Sequence, residues 1–237
     1  RNHFSINSVT FNQPRGGTRE SYKARNDPLG PAALLAAFGA NARDIITIGA
    51  PDTGGNCFPF GCGFGTHTYQ QVYAASNFAG PISISDIEFS LNIPGNIDTG
   101  TFSLYLSTAG KAVNGLDTVN FANNLGADNT LFGTFSLGGA APATLVFNDG
   151  PFNYYRANGN LLLDVEANIT GIGSSFFDAR NGDAGGLFSR AHDYGSAFEN
   201  QGLVTAFSYS DAPEPASLPL FSLGLARLAA ACRRQQS

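Results

Sequence analysis

The sequence predicts an all-β protein: an antiparallel β-sandwich, jelly-roll-like, with a signal helix near the N-terminus and a transmembrane or sorting helix at the C-terminus. Three observations lead there. The composition is 43% hydrophobic and 13% charged, with 29 Gly and 20 Phe, which excludes a disordered chain and, with so little Lys and Glu, a helical bundle. Apolar residues between Arg43 and Ser210 recur with a period of two. Turn dipeptides separate these runs with no βα alternation, and no internal repeat is visible. The 237 residues suffice for one or two domains with a buried core.

Taken in chain order, residues 1–22 show no sustained period and are expected to be an unstructured upstream extension, either extra translated sequence or a mis-set start in a chain with no Met. Residues 23–42 read as a secretory signal peptide. Lys23 and Arg25 supply the positive region, 28–39 the apolar run, and Ala40-Asn41-Ala42 a small-x-small site with cleavage expected after Ala42. The run is too short to span a bilayer, and two prolines and two glycines make it a poor buried helix, the competing reading.

The body, 43–210, carries the strands. Runs are expected at 45–48, 69–73, 82–91, 102–106, 131–137, 144–147, 161–165 and 203–209. In 161–165 the inward positions are Leu161, Leu163 and Val165, leaving Leu162, Asp164 and Glu166 outward. Within 82–91 the phase slips: Ile82 and Ile84 share one parity, Ile87, Phe89 and Leu91 the other. A bulge near Ser85-Asp86 restores the face. Turns are expected at Pro94-Gly95, Asn114-Gly115, Asn158-Gly159 and Asn181-Gly182.

Charge narrows the partners. The chain has a net charge of −5, but 43–215 holds five basic residues against sixteen acidic ones, a net of −11. Such a body repels phosphate backbones, so nucleic-acid binding is excluded from the expectations. Cys57 and Cys62 enclose Phe-Pro-Phe-Gly and are expected to form a disulfide in an exported protein. A metal site, the competing reading, needs two more ligands, and only His67 stands nearby. No cofactor or metal is expected. Asp178-Ala-Arg-Asn-Gly-Asp183 lacks the bidentate Glu and ligand spacing of a calcium loop and reads as a surface turn. No nucleophile elbow, zinc helix or phosphate loop is present. His192 and Asp193 are neighbours that a strand would point to opposite faces, so no relay is expected.

The C-terminus is the most informative segment. Pro213-Glu214-Pro215 precedes an apolar stretch containing Leu218, Leu220, Phe221, Leu223, Leu225 and Leu228, and Arg233-Arg234 follow. In this order, 211–237 resembles the PEP-CTERM sorting signal of exported Gram-negative bacterial proteins. The resemblance implies that an exosortase, a membrane cysteine transpeptidase, reads the triplet and removes the helix, after the secretory translocon has exported the body. It also implies transient inner-membrane anchoring, with the Arg pair cytoplasmic, and delivery to the cell surface or extracellular matrix. The segment departs from the pattern at Pro219 and Arg227 and in its two-residue basic cluster; 218–232 is 15 residues, shorter than a full span of about 20. An amphipathic helix packed on the body is the competing reading.

The stretches 56–62, 69–73, 124–130 and 159–165 likewise resemble domains that precede this signal. The family setting implies a non-enzymatic surface or matrix component associated with exopolysaccharide or biofilm. Tyr69, Tyr73, Tyr154, Tyr155 and Tyr194 are the expected glycan contacts, each serving equally well as a sheet-face residue. The alternatives are a secreted carbohydrate-active hydrolase using paired carboxylates and a calcium-assisted glycan-binding module.

Overall fold

A computed structural model describes residues 43–213 apart from 53, 194, 195 and 199; for 196–198 only the backbone is described. The 1–22 extension, the signal segment with Ala40 and Ala42, Tyr194, Glu214, Pro215 and the apolar tail with Arg233 and Arg234 lie outside the described residues.

The described chain is all-β. Its strands are β1 (Asp44–Ile48), β2 (Gly65–Tyr73), β3 (Ile82–Ile93), β4 (Asn96–Ala109), β5 (Thr130–Ala140), β6 (Thr144–Phe147) and β7 (Phe152–Tyr154). There follow β8 (Asn160–Gly171), β9 (Phe176–Phe177), β10 (Ala179–Arg180), β11 (Phe188–His192), β12 (Ser196–Phe198), β13 (Gly202–Leu203) and β14 (Thr205–Asp211). Helical content among the described residues is three short 3₁₀ turns.

Two six-stranded sheets result. In the first, the order is β1-β14-β3-β6, with β7 and β9 also pairing with β3; in the second it is β12-β11-β2-β8-β4-β5. The pairings are antiparallel, and β10 and β13 form a small ribbon apart. Seven of the eight predicted runs each fall within one strand; 203–209, expected as a single last strand, is broken at Val204 into the end of β13 and β14. The short strands β7 and β9 to β12 were not foreseen, because two to five residues carry too little periodicity to register. Opposite β14, Ser208 pairs with Asp86 and Tyr209 with Ile84, so Ser85 is the extra residue and the expected bulge is real. Its hydroxyl donates to the Ser208 carbonyl at 3.1 Å.

One buried cluster draws on both sheets: Ile84, Ile87, Phe89 and Phe207 from the first, Tyr73, Phe102, Leu104, Leu163 and Val165 from the second. The Tyr73 and Phe207 rings meet edge-on at 5.2 Å, and Tyr73 Oη and Thr205 Oγ1 hydrogen-bond at 2.7 Å. The second sheet is also covered on its other face. Segment 110–129, between β4 and β5, lays Val113, Leu116 and Leu125 on Val72, Ala109 and Leu162. Leu161 through Val165 are therefore all buried: Leu162 and Asp164 keep to the outer face, opposite Leu161, Leu163 and Val165 as the alternation has them, but the covering there buries them. A strand covered on both faces loses its alternation. Asp117 organises this covering segment by accepting from the Asn120 N–H, the Asn123 amide and the Val119 N–H, which hold its carboxyl down at about 2. Its return leg passes β4 closely at Gly126, where a Cβ would lie 2.0 Å from the Thr108 carbonyl.

Candidate functional site

Three parts of the body hold the candidate residues. At one end, Cys57 and Cys62 are disulfide-bonded with Cα atoms 5.5 Å apart. The hairpin they close delivers two aromatic rings. Phe60, fully buried, packs on Phe89 and Phe147 of the first sheet, Phe102 of the second, and Phe177, with centroids 5.2–5.8 Å apart. Phe58 stacks on His192 at 5.0 Å and meets His67 at 5.5 Å. Burial lowers both imidazole pKa values; Asp193 raises both, and Asp98 adds to the rise at His67. Asp98, itself buried, accepts from the Gly63 N–H at 2.8 Å and from the Gly173 N–H, which fastens the hairpin to the sheets. Burial still pushes its carboxyl up against those bonds. Nearby, the Gln71 amide accepts from and donates to the Leu203 backbone at 2.8 Å each, standing in for a strand neighbour. Asp193 is committed to the Thr68 N–H at 2.9 Å.

The predicted tyrosines lie elsewhere than expected. Tyr69, Tyr73 and Tyr154 are 0–1% exposed, so their proposed glycan contact is corrected: the rings fill the core. Each hydroxyl is partnered, by Gln71, Thr205 and the Gly159 carbonyl respectively. Burial pushes the Tyr69 phenol up to about 12 and also raises those of Tyr73 and Tyr154. Period-two spacing cannot say which face of a strand a sheet buries. Tyr155 is half-buried and donates to the Pro213 carbonyl at 3.0 Å. With the Ala212 N–H bonded to the Pro81 carbonyl, this ties the chain down just beyond β14. The triplet thus begins directly after the last strand, at an exposed Pro213.

The third part is the outer face of the second sheet beyond the 110–129 segment. Cross-strand rows there run Gln70–Asp164–Tyr105–Leu131 and Thr68–Glu166–Ser103–Thr134. Tyr105 is half-buried, Glu166 and Thr134 are exposed, and Ser103 hydrogen-bonds Thr134 at 3.1 Å. Asp164 is 3% exposed and its Oδ1 has no hydrogen-bond partner among the described residues. Burial pushes its carboxyl up to about 6; the Gln70 amide opposes that shift and Glu166 adds to it. Burial also raises the Tyr105 phenol, helped by Glu166 and Asp164.

Segment 178–183, expected as a surface turn, instead carries β10 with Ala179 buried in the core; around it Asp178 accepts from the Asn92 amide, Asp183 from the Gly185 N–H, and Asp52 from the Asn181 and Gly182 N–H groups. Among the described residues no three His, Cys, Asp or Glu are grouped to hold a metal, and no helix is long and apolar enough to cross a membrane. Sequence reasoning missed Asp164 and Tyr105. The signal was present in Leu161-Leu162-Leu163-Asp164, an apolar run ending in a lone acid. No family model, curated protein or solved structure matches the chain.

Proposed function

We propose that this is an exported surface or extracellular-matrix protein, sorted by an exosortase and non-enzymatic, whose body is a jelly-roll-like β-sandwich. The observation that carries the reading is the order Pro213-Glu214-Pro215, apolar stretch, Arg233-Arg234, set immediately after strand β14. A cystine-closed loop at one end of the body supports an oxidising compartment. In this reading the secretory translocon and the exosortase are transient partners, the inner membrane a transient anchor, and exopolysaccharide the lasting neighbour.

Intact-mass measurement on protein from its native host tests this. The expected product spans roughly 43–215; a surface protein still carrying 34–38 and 223–231 would overturn the reading.

A hydrolase reading draws on one observation: Asp164, raised to about 6, stands two residues from Glu166 on one strand face. Binding is favoured over turnover because Asp164 and Glu166 lie side by side on one strand face, and neither cross-strand row sets a carboxylate opposite them to flank a scissile bond. Turnover of a glycan abolished by Glu166→Gln would reverse that preference.

A further inference from the structure

We propose that the uncovered outer face of the second sheet, centred on Tyr105, Asp164 and Glu166, is a binding platform for glycans that carry amino sugars. This rests on the matrix reading above and gives it a site and a ligand class.

The argument begins with what the face presents. Strands β2, β8 and β4 set Thr68, Glu166 and Ser103 side by side, with Thr134 of β5 next in the row. Hydroxyl groups spaced along such a row can both donate to and accept from sugar hydroxyls. Tyr105, half-buried, offers a ring against which a pyranose can lie, as aromatic side chains do in carbohydrate sites. Segment 110–129 covers the neighbouring row, where Val72 and Leu162 lie, and stops at Gln70, whose amide donates to the Phe121 carbonyl at 3.2 Å. The platform therefore has a wall on one side and is open on the other.

Asp164 is the second, independent pointer. Its carboxyl lies at the foot of that wall between Gln70 and Tyr105, nine-tenths buried and more, with Oδ1 unpartnered among the described residues. A buried acceptor without a donor is costly, and a ligand hydroxyl or ammonium would satisfy it.

Charge selects the ligand. Neither row contains Lys or Arg, Glu166 is exposed, and 43–215 carries a net of −11. A polyuronate is repelled from such a surface; an amino sugar brings an ammonium that pairs with Glu166 while its ring hydroxyls meet Ser103 and Thr134.

Titration calorimetry with the full-chain protein tests this, using glucosamine hexamer, N-acetylglucosamine hexamer and an oligouronate of equal length. The expected result is saturable one-site binding of the glucosamine hexamer, weaker binding of the acetylated hexamer, and none of the oligouronate. Tyr105→Ala should weaken binding about tenfold, Tyr105→Phe much less, and Glu166→Gln up to about fivefold. Both side chains reach solvent, so circular dichroism of the variants should match the parent. Three results would overturn the proposal: no binding of the glucosamine hexamer, equal binding of all three oligomers, or binding that ignores all three substitutions. The last would leave a matrix role intact with its site elsewhere. Failure of the sorting reading would show separately, in the mass of the native product.

Discussion

The two faces of the second sheet are built in different ways from the same strands. On the inner face, Phe102, Leu104, Leu163 and Val165 meet residues from strands far apart in sequence, with Phe60 packed among the rings. On the outer face, Val72, Ala109 and Leu162 are covered by one local segment, 110–129, which contributes Val113, Leu116 and Leu125. The inner contact is large, aromatic and made by the whole fold. The outer contact is small, aliphatic and made by one connection. Cooperative stability should therefore reside in the first, while the second should open on its own without unfolding the body.

The hardest way to break that contrast is at Phe60. Phe60→Ala removes a fully buried ring that touches four others, and should cost about 3–5 kcal/mol. Urea unfolding should show a lower midpoint with an unchanged slope. A loss below ~1 kcal/mol would mean that the ring does not hold the sheets together.

Asp164 sharpens the contrast from the outer side. Burial raises its folded pKa to about 6 from an ordinary value near 3.8, so the folded protein prefers the protonated acid. The resulting stability is fully present below about pH 4 and lost as pH rises through about 6. His67 and His192, whose pKa values burial lowers, act in the opposite sense by disfavouring acid. The comparison of parent and Asp164→Asn isolates the carboxyl. The variant should match the parent near pH 4 and exceed it by up to about 3 kcal/mol at pH 8. A constant difference across that range would show that the carboxyl does not titrate between folded and unfolded states.

The disulfide tests the inner face by a milder route. Opening Cys57–Cys62, by reduction or by the double change to Ser, frees a short loop and should cost about 2 kcal/mol. The rings of Phe58 and Phe60 hang from that loop, so amides of β2 and β11 should exchange faster while those of 110–129 keep their rates. Acceleration confined to 110–129 would contradict the assignment of the hairpin to the inner core.

These contrasts also explain what the sequence could and could not disclose. Alternation located the long strands because each has one face on the shared core, and even the Ser85 bulge was visible as a phase slip. Burial of Leu162 and Asp164 was not foreseen, since a covering loop lies on a face that alternation assigns to water. The same ambiguity misplaced the tyrosines: Tyr69, Tyr73 and Tyr154 look like Tyr105 in a string of letters, and only the packing of sheets separates a core ring from a half-buried one on the outer face. His67 and His192, far apart in sequence, meet at Phe58 only because β2 pairs with β11.

The smallest expected effect asks whether the outer segment is a unit of its own. Leu125 is half-buried and packs on the outer cluster, while the Leu125 N–H donates to the Ala122 carbonyl at 3.3 Å. Leu125→Ala removes part of a small apolar contact, so the global loss should stay near 1 kcal/mol or below, under the range for a fully buried Leu. The local effect should be larger in proportion. Amides of Asn123, Leu125 and Asn129, which bond within the segment, should exchange several-fold faster. Those of β4 and β8, held by their own ladder, should not change. Equal acceleration in the segment and the ladder would mean that loop and sheet open together. In that case the two faces would be one cooperative structure, and the wall beside Asp164 would be as rigid as the core behind it.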